Sequence, residues 1–447
     1  MFQQHRRAFL EGMEAGDLAL FPGAGLVTRN HDIEFPFRQE SGFYYLTGFR
    51  EPDAILMLAR EIPGVPAETL FVLPRDPERE TWTGRRTGPE GVLEQLGFEA
   101  AAPVEEAEAT ILAALPKARR LWYRLGDHAA LDKLVLSGLS DLRKKVRLGL
   151  TPPSTLLDPA VLLHELRLFK SAEEVDWMRR AAAVSAEAHL LAMALAAPGV
   201  WEYEVEALLH YVFRRHGGEG WSYPSIVAGG PNACILHYST NRCRLRDGDL
   251  VLVDAGAEFR TYAADITRTY PVAGRFTSVQ RDVYQIVLEA QKAAIEKTGP
   301  GTAFHDVHAA ALRRLCGGLR ELGVLEAPLD EILEKKLYKD WYMHNTSHWI
   351  GLDVHDAGPY YQEGKSRLLE EGMCLTVEPG LYFPADDERL PESLRGIGIR
   401  IEDDVLVTGG GREVLTVATP KEVADVEAAC AAERIMPPTL DTELVNQ

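Results

Sequence analysis

Val253-Asp-Ala-Gly-Ala-Glu-Phe-Arg-Thr-Tyr-Ala-Ala-Asp265-Ile-Thr-Arg-Thr is the stretch that most narrows what this chain can become. It continues the apolar run Leu250-Val-Leu-Val253, whose length and flanking Asp-Gly and Ala-Gly pairs fit a buried strand. If the two arms form a hairpin centred between Phe259 and Arg260, Asp254 and Asp265 lie opposite each other with side chains on one face. Two carboxylates so placed repel unless a cation or a proton sits between them, which is the geometry of a metal site. Taken alone, the pair also admits the ordinary reading that one aspartate ends a strand and the other meets solvent.

The segment His344-Asn-Thr-Ser-His348-Trp-Ile-Gly-Leu-Asp-Val-His355 gathers three of the thirteen histidines. His344 and His348 have the spacing of a zincin helix, but Asn345 stands where such a protease keeps its glutamate base, so HExxH is excluded. The β-branched, glycine-interrupted run after His348 predicts a strand or loop. Glu378 ends the run Leu375-Thr-Val377 and is stopped by Pro379-Gly380, which fixes it at a strand terminus, where binding groups commonly sit. In Gly396-Ile-Gly-Ile-Arg-Ile-Glu402, period two sends Ile397, Ile399 and Ile401 to one face and Arg400 with Glu402 to the other. Glycine beside that charged face leaves room for a ligand, although a solvated strand would read the same way.

Around these segments the pattern divides. Up to about Leu150, short apolar runs (Ile55 to Leu58, Leu70 to Leu73) alternate with helix-like stretches such as Ala107 to Leu115, which reads as an α/β domain. Leu150-Thr-Pro-Pro-Ser-Thr-Leu-Leu-Asp-Pro159 has three prolines and suits an inter-domain connection. Ser171 then stands three residues before Glu174, as in a capping box, and helical spacing runs on to about Ala196. Helix patterns at Glu204 to Arg215, Val279 to Lys297 and Val307 to Leu322 alternate with strand-like segments after Gly220 and from Met343 to Val417. Helices then strands, twice over, predict an α+β domain of two similar halves. The expected domains are residues 1–165 and 171–435.

Acidic residues outnumber basic ones, 67 against 48, for a formal charge of -19. That balance speaks against a nucleic-acid partner, whose non-specific affinity rests on clustered Lys and Arg. The longest apolar stretch, Leu190 to Ala197, falls far short of a membrane span, and Met1 to Leu20 lacks the apolar core of a signal peptide. A cytoplasmic protein without a membrane partner is the simplest expectation. Five scattered cysteines without a CxxC pair are expected to be buried or half-buried reduced thiols. Neither GxxxxGK[ST] nor GxSxG occurs, which removes the phosphate loop and the hydrolase serine elbow.

Together these segments resemble the metal-dependent peptidases of the pita-bread fold, most closely the Xaa-Pro aminopeptidases (aminopeptidase P). The matching pieces are Val253-Asp-Ala-Gly with Asp265-Ile-Thr-Arg-Thr, Ser347-His-Trp-Ile-Gly-Leu-Asp-Val-His-Asp356, Thr376-Val-Glu-Pro-Gly-Leu-Tyr382 and Gly396-Ile-Gly-Ile-Arg-Ile-Glu-Asp-Asp404. The similarity extends through Ile235-Leu-His-Tyr238 and His164-Glu-Leu-Arg-Leu-Phe-Lys-Ser171 to Phe37-Arg-Gln-Glu-Ser-Gly-Phe-Tyr-Tyr-Leu-Thr-Gly-Phe-Arg-Glu-Pro52. The resemblance implies a pita-bread catalytic domain preceded by a smaller α/β domain. It implies two divalent ions, bridged by Asp265 and Glu402, with Asp254 on one and His348 and Glu378 on the other. Asn345 departs from the smaller residue usual in relatives, which touches the shape around His344 and none of the ligands.

An oxygen-rich set of this kind suits Mn(II) better than a thiolate centre does, with zinc, cobalt or iron also admissible. The implied reaction is hydrolysis of the N-terminal Xaa-Pro bond by a metal-bridging hydroxide, on peptides with proline at the second position. Glu378 is the expected general base. His237 and His355 are expected to donate to the substrate and the developing oxyanion, and His344 and Arg400 to orient the substrate or neighbouring carboxylates. Tyr382 is expected to shape the proline pocket. The resemblance also suggests a homodimer or homotetramer in which Asp32, Trp82 and Arg147 reach a neighbouring active site, although a surface-loop reading fits those three equally well. A prolidase confined to dipeptides is the first alternative, favoured less by the Arg38-Gln-Glu-Ser run. A metal-free pita-bread binding protein is the second, and it predicts loss of ligand carboxylates that are all present here.

Overall fold

The computed structural model describes residues 1–432, so residues 433–435 of the expected second domain lie outside the described residues. The chain separates into two compact units, Met1–Arg167 and the remainder from Leu168. Among the described residues no helix is long and apolar enough to cross a membrane.

The first unit is built on a six-stranded mixed sheet in the order Ala100–Pro103, Glu68–Val72, Ile55–Ala59, Asp17–Pro22, Arg120–Trp122, Thr155–Leu157. Its central strands are apolar on both sides because helices cover them. Leu18, Leu20, Met57 and Phe71 pack with Ile111 and Leu115 after the Ala107–Ala114 helix, and with Val135 of Ala129–Lys144. The proline-rich segment differs from expectation. Residues after Pro152 and Pro153 form the sheet's last strand, parallel to Arg120–Trp122, so the prolines lead into an edge strand and do not form a free linker.

The second unit begins with the helix Ala172–Leu195, whose Ser171 and Glu174 form the expected reciprocal cap, followed by Glu202–Arg215. Three antiparallel strands come next, in the order Ile226–Gly229, Leu250–Asp254, Thr267–Pro271. The helices Ser278–Lys297 and Phe304–Glu321 precede a second sheet of Cys374–Val377, Asp403–Thr408 and Gly411–Val414, and a pair Gly380–Phe383 with Ile397–Arg400. Helices then strands do recur twice. One large apolar core joins both halves, from Val205 and Leu209 through Val251 and Val253 to Leu375, Ile399 and Val405.

The hairpin register differs by a step from the sequence expectation. Asp254 pairs with Thr267, and Phe259 with Tyr262, so the turn is Arg260-Thr261. Both turn residues have positive φ, 50° and 68°, the mirror-image conformation that matches strand twist in a two-residue hairpin loop. No glycine or asparagine advertised that turn. The Ala255 N–H bonds to the Ile266 carbonyl at 3.0 Å, and continuing the register places Asp265 opposite Gly256.

Gly256 faces the opposite arm of the hairpin with no room for a side chain. A Cβ there would lie 1.7 Å from the Ala264 carbonyl oxygen, a backbone atom that cannot rotate away. Gly256→Ala is therefore expected to cost about 3 kcal/mol or more, at the upper end of overpacking effects. A chemical-denaturation midpoint within error of wild type would contradict that expectation.

Candidate metal centre

Asp254 ends the strand Leu250–Asp254, and Asp265 lies two residues before the strand Thr267–Pro271. Because Asp254 faces Thr267 and Asp265 faces Gly256, the two carboxylates are diagonal neighbours on one face, less crowded than a directly opposed pair. The Ile397–Arg400 strand is tied in beside them. Thr269 Oγ1 donates to the Arg400 carbonyl (3.1 Å) and the Glu402 N–H donates to the Thr267 carbonyl (3.1 Å), which delivers Arg400 and Glu402 to the same place. The segment before His348 runs along Cys374–Val377: the Thr376 N–H donates to the His348 carbonyl (2.9 Å) and the Glu378 N–H to the Thr346 carbonyl (2.8 Å). Four remote stretches of sequence thus meet.

Ligand atoms of Asp265, His348 and Glu402 all lie within 4.8 Å of one another. His348 Nε2 is 3.4 Å from Asp265 Oδ2 and 3.5 Å from Glu378 Oε1. Its Nδ1 is 3.0 Å from the Trp349 carbonyl, which fixes the proton on Nδ1 and leaves Nε2 facing the carboxylates as a ligand would require. Burial, then the nearby Asp254, raises the pKa of Asp265. Burial followed by repulsion from Asp265, Glu378 and Asp254 puts Glu402 well above the usual carboxylate range. Burial also pushes Glu378 to about 7, against the pull of His348 and Arg400. Although burial opposes it, the Asp265 and Glu378 carboxylates lift His348 to about 9. The four carboxylates outnumber the nearby positive groups, His348 and Arg400, and a divalent cation would offset the excess. The hard oxygen and single imidazole donors fit one.

Arg400 is buried, not solvated. Its Nη2 donates to Asp254 Oδ2 (2.5 Å), its Nε to Thr267 Oγ1 (3.1 Å) and its Nη1 to the Tyr382 hydroxyl (3.0 Å). The room expected beside Gly398 is filled by backbone: a Cβ there would stand 2.3 Å from the Ala233 carbonyl. The Tyr382 hydroxyl in turn donates to His344 Nε2 (2.8 Å), whose Nδ1 donates to the Asn345 carbonyl (2.7 Å). Burial and Arg400 push His344 down to about 3, so it is neutral. Position 345 serves His344 through its backbone carbonyl, a contact the Asn345 side chain does not enter. Tyr382 is fully buried and supports His344 and Arg400 from behind the cavity wall.

Asp254, Asp265, His348, Glu378 and Glu402 open into one cavity of about 1160 Å³, which His237, His344, His355 and Arg400 also line. The His355 ring meets that of His348 edge-on, 4.5 Å between centroids, and burial together with His348 lowers its pKa. Asp32, Trp82 and Arg147 are all exposed and belong to the first unit, outside this cluster.

Sequence reasoning missed two members. The Tyr223 hydroxyl donates to Asp254 Oδ1 (2.6 Å) and also contacts Asp265 Oδ1. One hydroxyl proton cannot serve two carboxylates at once, which is further reason for a cation between them. Tyr223 sits in a loop before Pro224 and carries no periodic signal. Thr267, whose Oγ1 donates to Glu402 (2.6 Å), could have been found, since it is two residues from Asp265 on the same strand face.

The family model described as metallopeptidase family M24 matches residues 176–409, and that of the aminopeptidase P N-terminal domain matches residues 2–122. A Xaa-Pro aminopeptidase of Escherichia coli (strain K12) is 45% identical over 97% of this chain and 98% of its own. Xaa-Pro aminopeptidase 3 of Rattus norvegicus is 35% identical over 90% of this chain and 78% of its own. Among solved structures, an aminopeptidase of Pseudomonas aeruginosa aligns with TM-score 0.94 at 44% identity over 97% of this chain and 98% of its own. A zinc-substituted E. coli aminopeptidase P in complex with product aligns with TM-score 0.93 at 44% identity over the same shares.

Proposed function

This chain belongs to metallopeptidase family M24, among the Xaa-Pro aminopeptidases with their pita-bread fold, and on that premise we propose that it removes the first residue of peptides with proline second. The observation that carries this reading is the meeting of four carboxylates and His348 at one cavity wall. Asp254, Asp265, His348, Glu378 and Glu402 would hold two divalent ions, Mn(II) by the hardness of the donors. When bound, such ions supply a hydroxide nucleophile at neutral pH and polarise the scissile carbonyl.

Glu378 takes the proton of the attacking water and returns it to the departing proline nitrogen as the C–N bond breaks. That nitrogen carries no hydrogen in the peptide, so a peptidase that must hold the scissile N–H is handicapped here. His237 and His355, both exposed at the cavity, donate to the substrate and the oxyanion. The chain from Asp254 through Arg400 and Tyr382 to His344 keeps these groups in place. Asp32, Trp82 and Arg147 are surface groups suited to a neighbouring subunit's site in a homodimer or homotetramer.

Comparing Xaa-Pro dipeptides with Xaa-Pro-Xaa peptides tests the substrate class. Faster release of the first residue from the longer peptides is expected, in keeping with a cavity larger than a dipeptide needs. Activity confined to dipeptides would transfer the chain to the prolidase reading.

A further inference from the structure

Glu202 opens the helix Glu202–Arg215 and is fully buried, remote in sequence from every residue given a role above. Its carboxylate accepts four hydrogen bonds. Oε1 takes the Gly229 N–H (2.9 Å) and Asn232 Nδ2 (3.0 Å), while Oε2 takes the Tyr238 hydroxyl (2.8 Å) and the Cys243 N–H (2.8 Å). A return bond runs from the Glu202 N–H to the Cys243 carbonyl (2.9 Å). These donors fall at both ends and in the middle of residues 229–243, a segment that after the strand-ending Gly229 has one short 3₁₀ turn and otherwise irregular backbone.

His237 lies in that segment. It is exposed and lines the cavity, while the next residue, Tyr238, is buried among Ile226, Ala233, Leu252 and Tyr382. Tyr238 is thus the anchor on which the backbone of His237 is hung. Asn241 adds a second clamp, accepting from the Val227 N–H (3.0 Å) and donating to the Ser225 carbonyl (2.8 Å). A loop without a ladder of its own holds a side chain in register only through such supports. The choice of glutamate follows: an ionised carboxylate is acceptor-only with about four lone-pair sites, matching four donors, whereas glutamine would turn its NH₂ toward two of them.

We propose that Glu202 is a positioning residue for the peptidase reaction, a buried carboxylate hub whose bond to Tyr238 sets the loop that carries His237 into the substrate cavity. The inference rests on the reading above in which His237 contacts the peptide.

Tyr238→Phe removes one of the four donors and leaves the apolar packing of the ring. It is expected to raise KM for a Xaa-Pro-Xaa peptide roughly tenfold, the scale of one buried hydrogen bond, with a smaller change in kcat and unaltered bound metal. Glu202→Gln should do more. The discriminating measurement is the cycle with His237→Ala: if the hub acts through His237, Tyr238→Phe adds nothing to the KM of His237→Ala. Losses that multiply in the double variant, or wild-type kinetics in both Tyr238→Phe and Glu202→Gln, overturn the proposal. Should His237→Ala alone leave kinetics unchanged, the contact reading of His237 fails, and the positioning role falls with it. The structural hub is then read separately by amide hydrogen exchange over residues 235–243, which Tyr238→Phe accelerates if the hub holds the loop and leaves at the wild-type rate if it does not.

Discussion

At saturating Mn(II), replacing Glu378 by glutamine is expected to lower kcat by roughly a thousandfold, within the range for loss of a general base, while the protein keeps its fold. The expectation rests on position. Glu378 directly follows the strand Cys374–Val377, its N–H is fastened to the Thr346 carbonyl at 2.8 Å, and its Oε1 stands 3.5 Å from His348 Nε2. Glutamine reproduces the shape and one acceptor oxygen but cannot take up a proton. KM should change little, because a proton transfer made only on the way to the transition state contributes to kcat and not to binding of the ground state. Turnover at the wild-type level with two ions bound would remove Glu378 from the role of base and leave it as a ligand alone.

Much of this arrangement was legible in the sequence, and the reasons differ from residue to residue. The capping box at Ser171 and Glu174 is local chemistry, and the helix Ala172–Leu195 begins where it says. The Asp254 and Asp265 pair survived an error in register, because moving the turn from between Phe259 and Arg260 to Arg260-Thr261 displaces the pairing by two and preserves the face. The turn itself was invisible, since its positive φ angles fall on Arg260 and Thr261, residues that do not favour them. The strand of Arg400 and Glu402 alternates as a half-solvated strand would, yet both faces are buried. Only the tertiary placement of Thr267, Thr269 and the Ala233 backbone decides that. Pro152 and Pro153 suggested a linker because proline cannot continue a ladder, but an edge strand that starts beyond them needs nothing from their missing N–H groups. Cys243 is exposed, against the expectation of burial, while Cys316, Cys374 and Cys430 are buried as a small hydrophobe should be.

Removing metal with a chelator is expected to abolish peptidase activity and to lower the melting temperature, and both should return on adding Mn(II). The argument is one of charge. Asp254, Asp265 and Glu402 are each buried, and Glu378 shares their cavity; burial and mutual repulsion raise Asp265 and Glu402 above their ordinary range. His348 and Arg400 provide the nearest positive charge, and Arg400 is already committed to Asp254, Thr267 and Tyr382. Cations that bind this folded cluster and not the unfolded chain stabilise it by mass action, about 2.7 kcal/mol per site at a hundred times the dissociation constant. Two divalent ions would also bring the formal charge of -19 to about -15, before any bound hydroxide is counted. His348→Ala removes the only imidazole of the proposed set and should cost at least one ion per chain, with the loss of activity following the loss of metal. Elemental analysis after reconstitution decides the matter: two ions per chain are expected, and fewer than one would leave the cluster without the charge its four carboxylates require and sink the dinuclear mechanism.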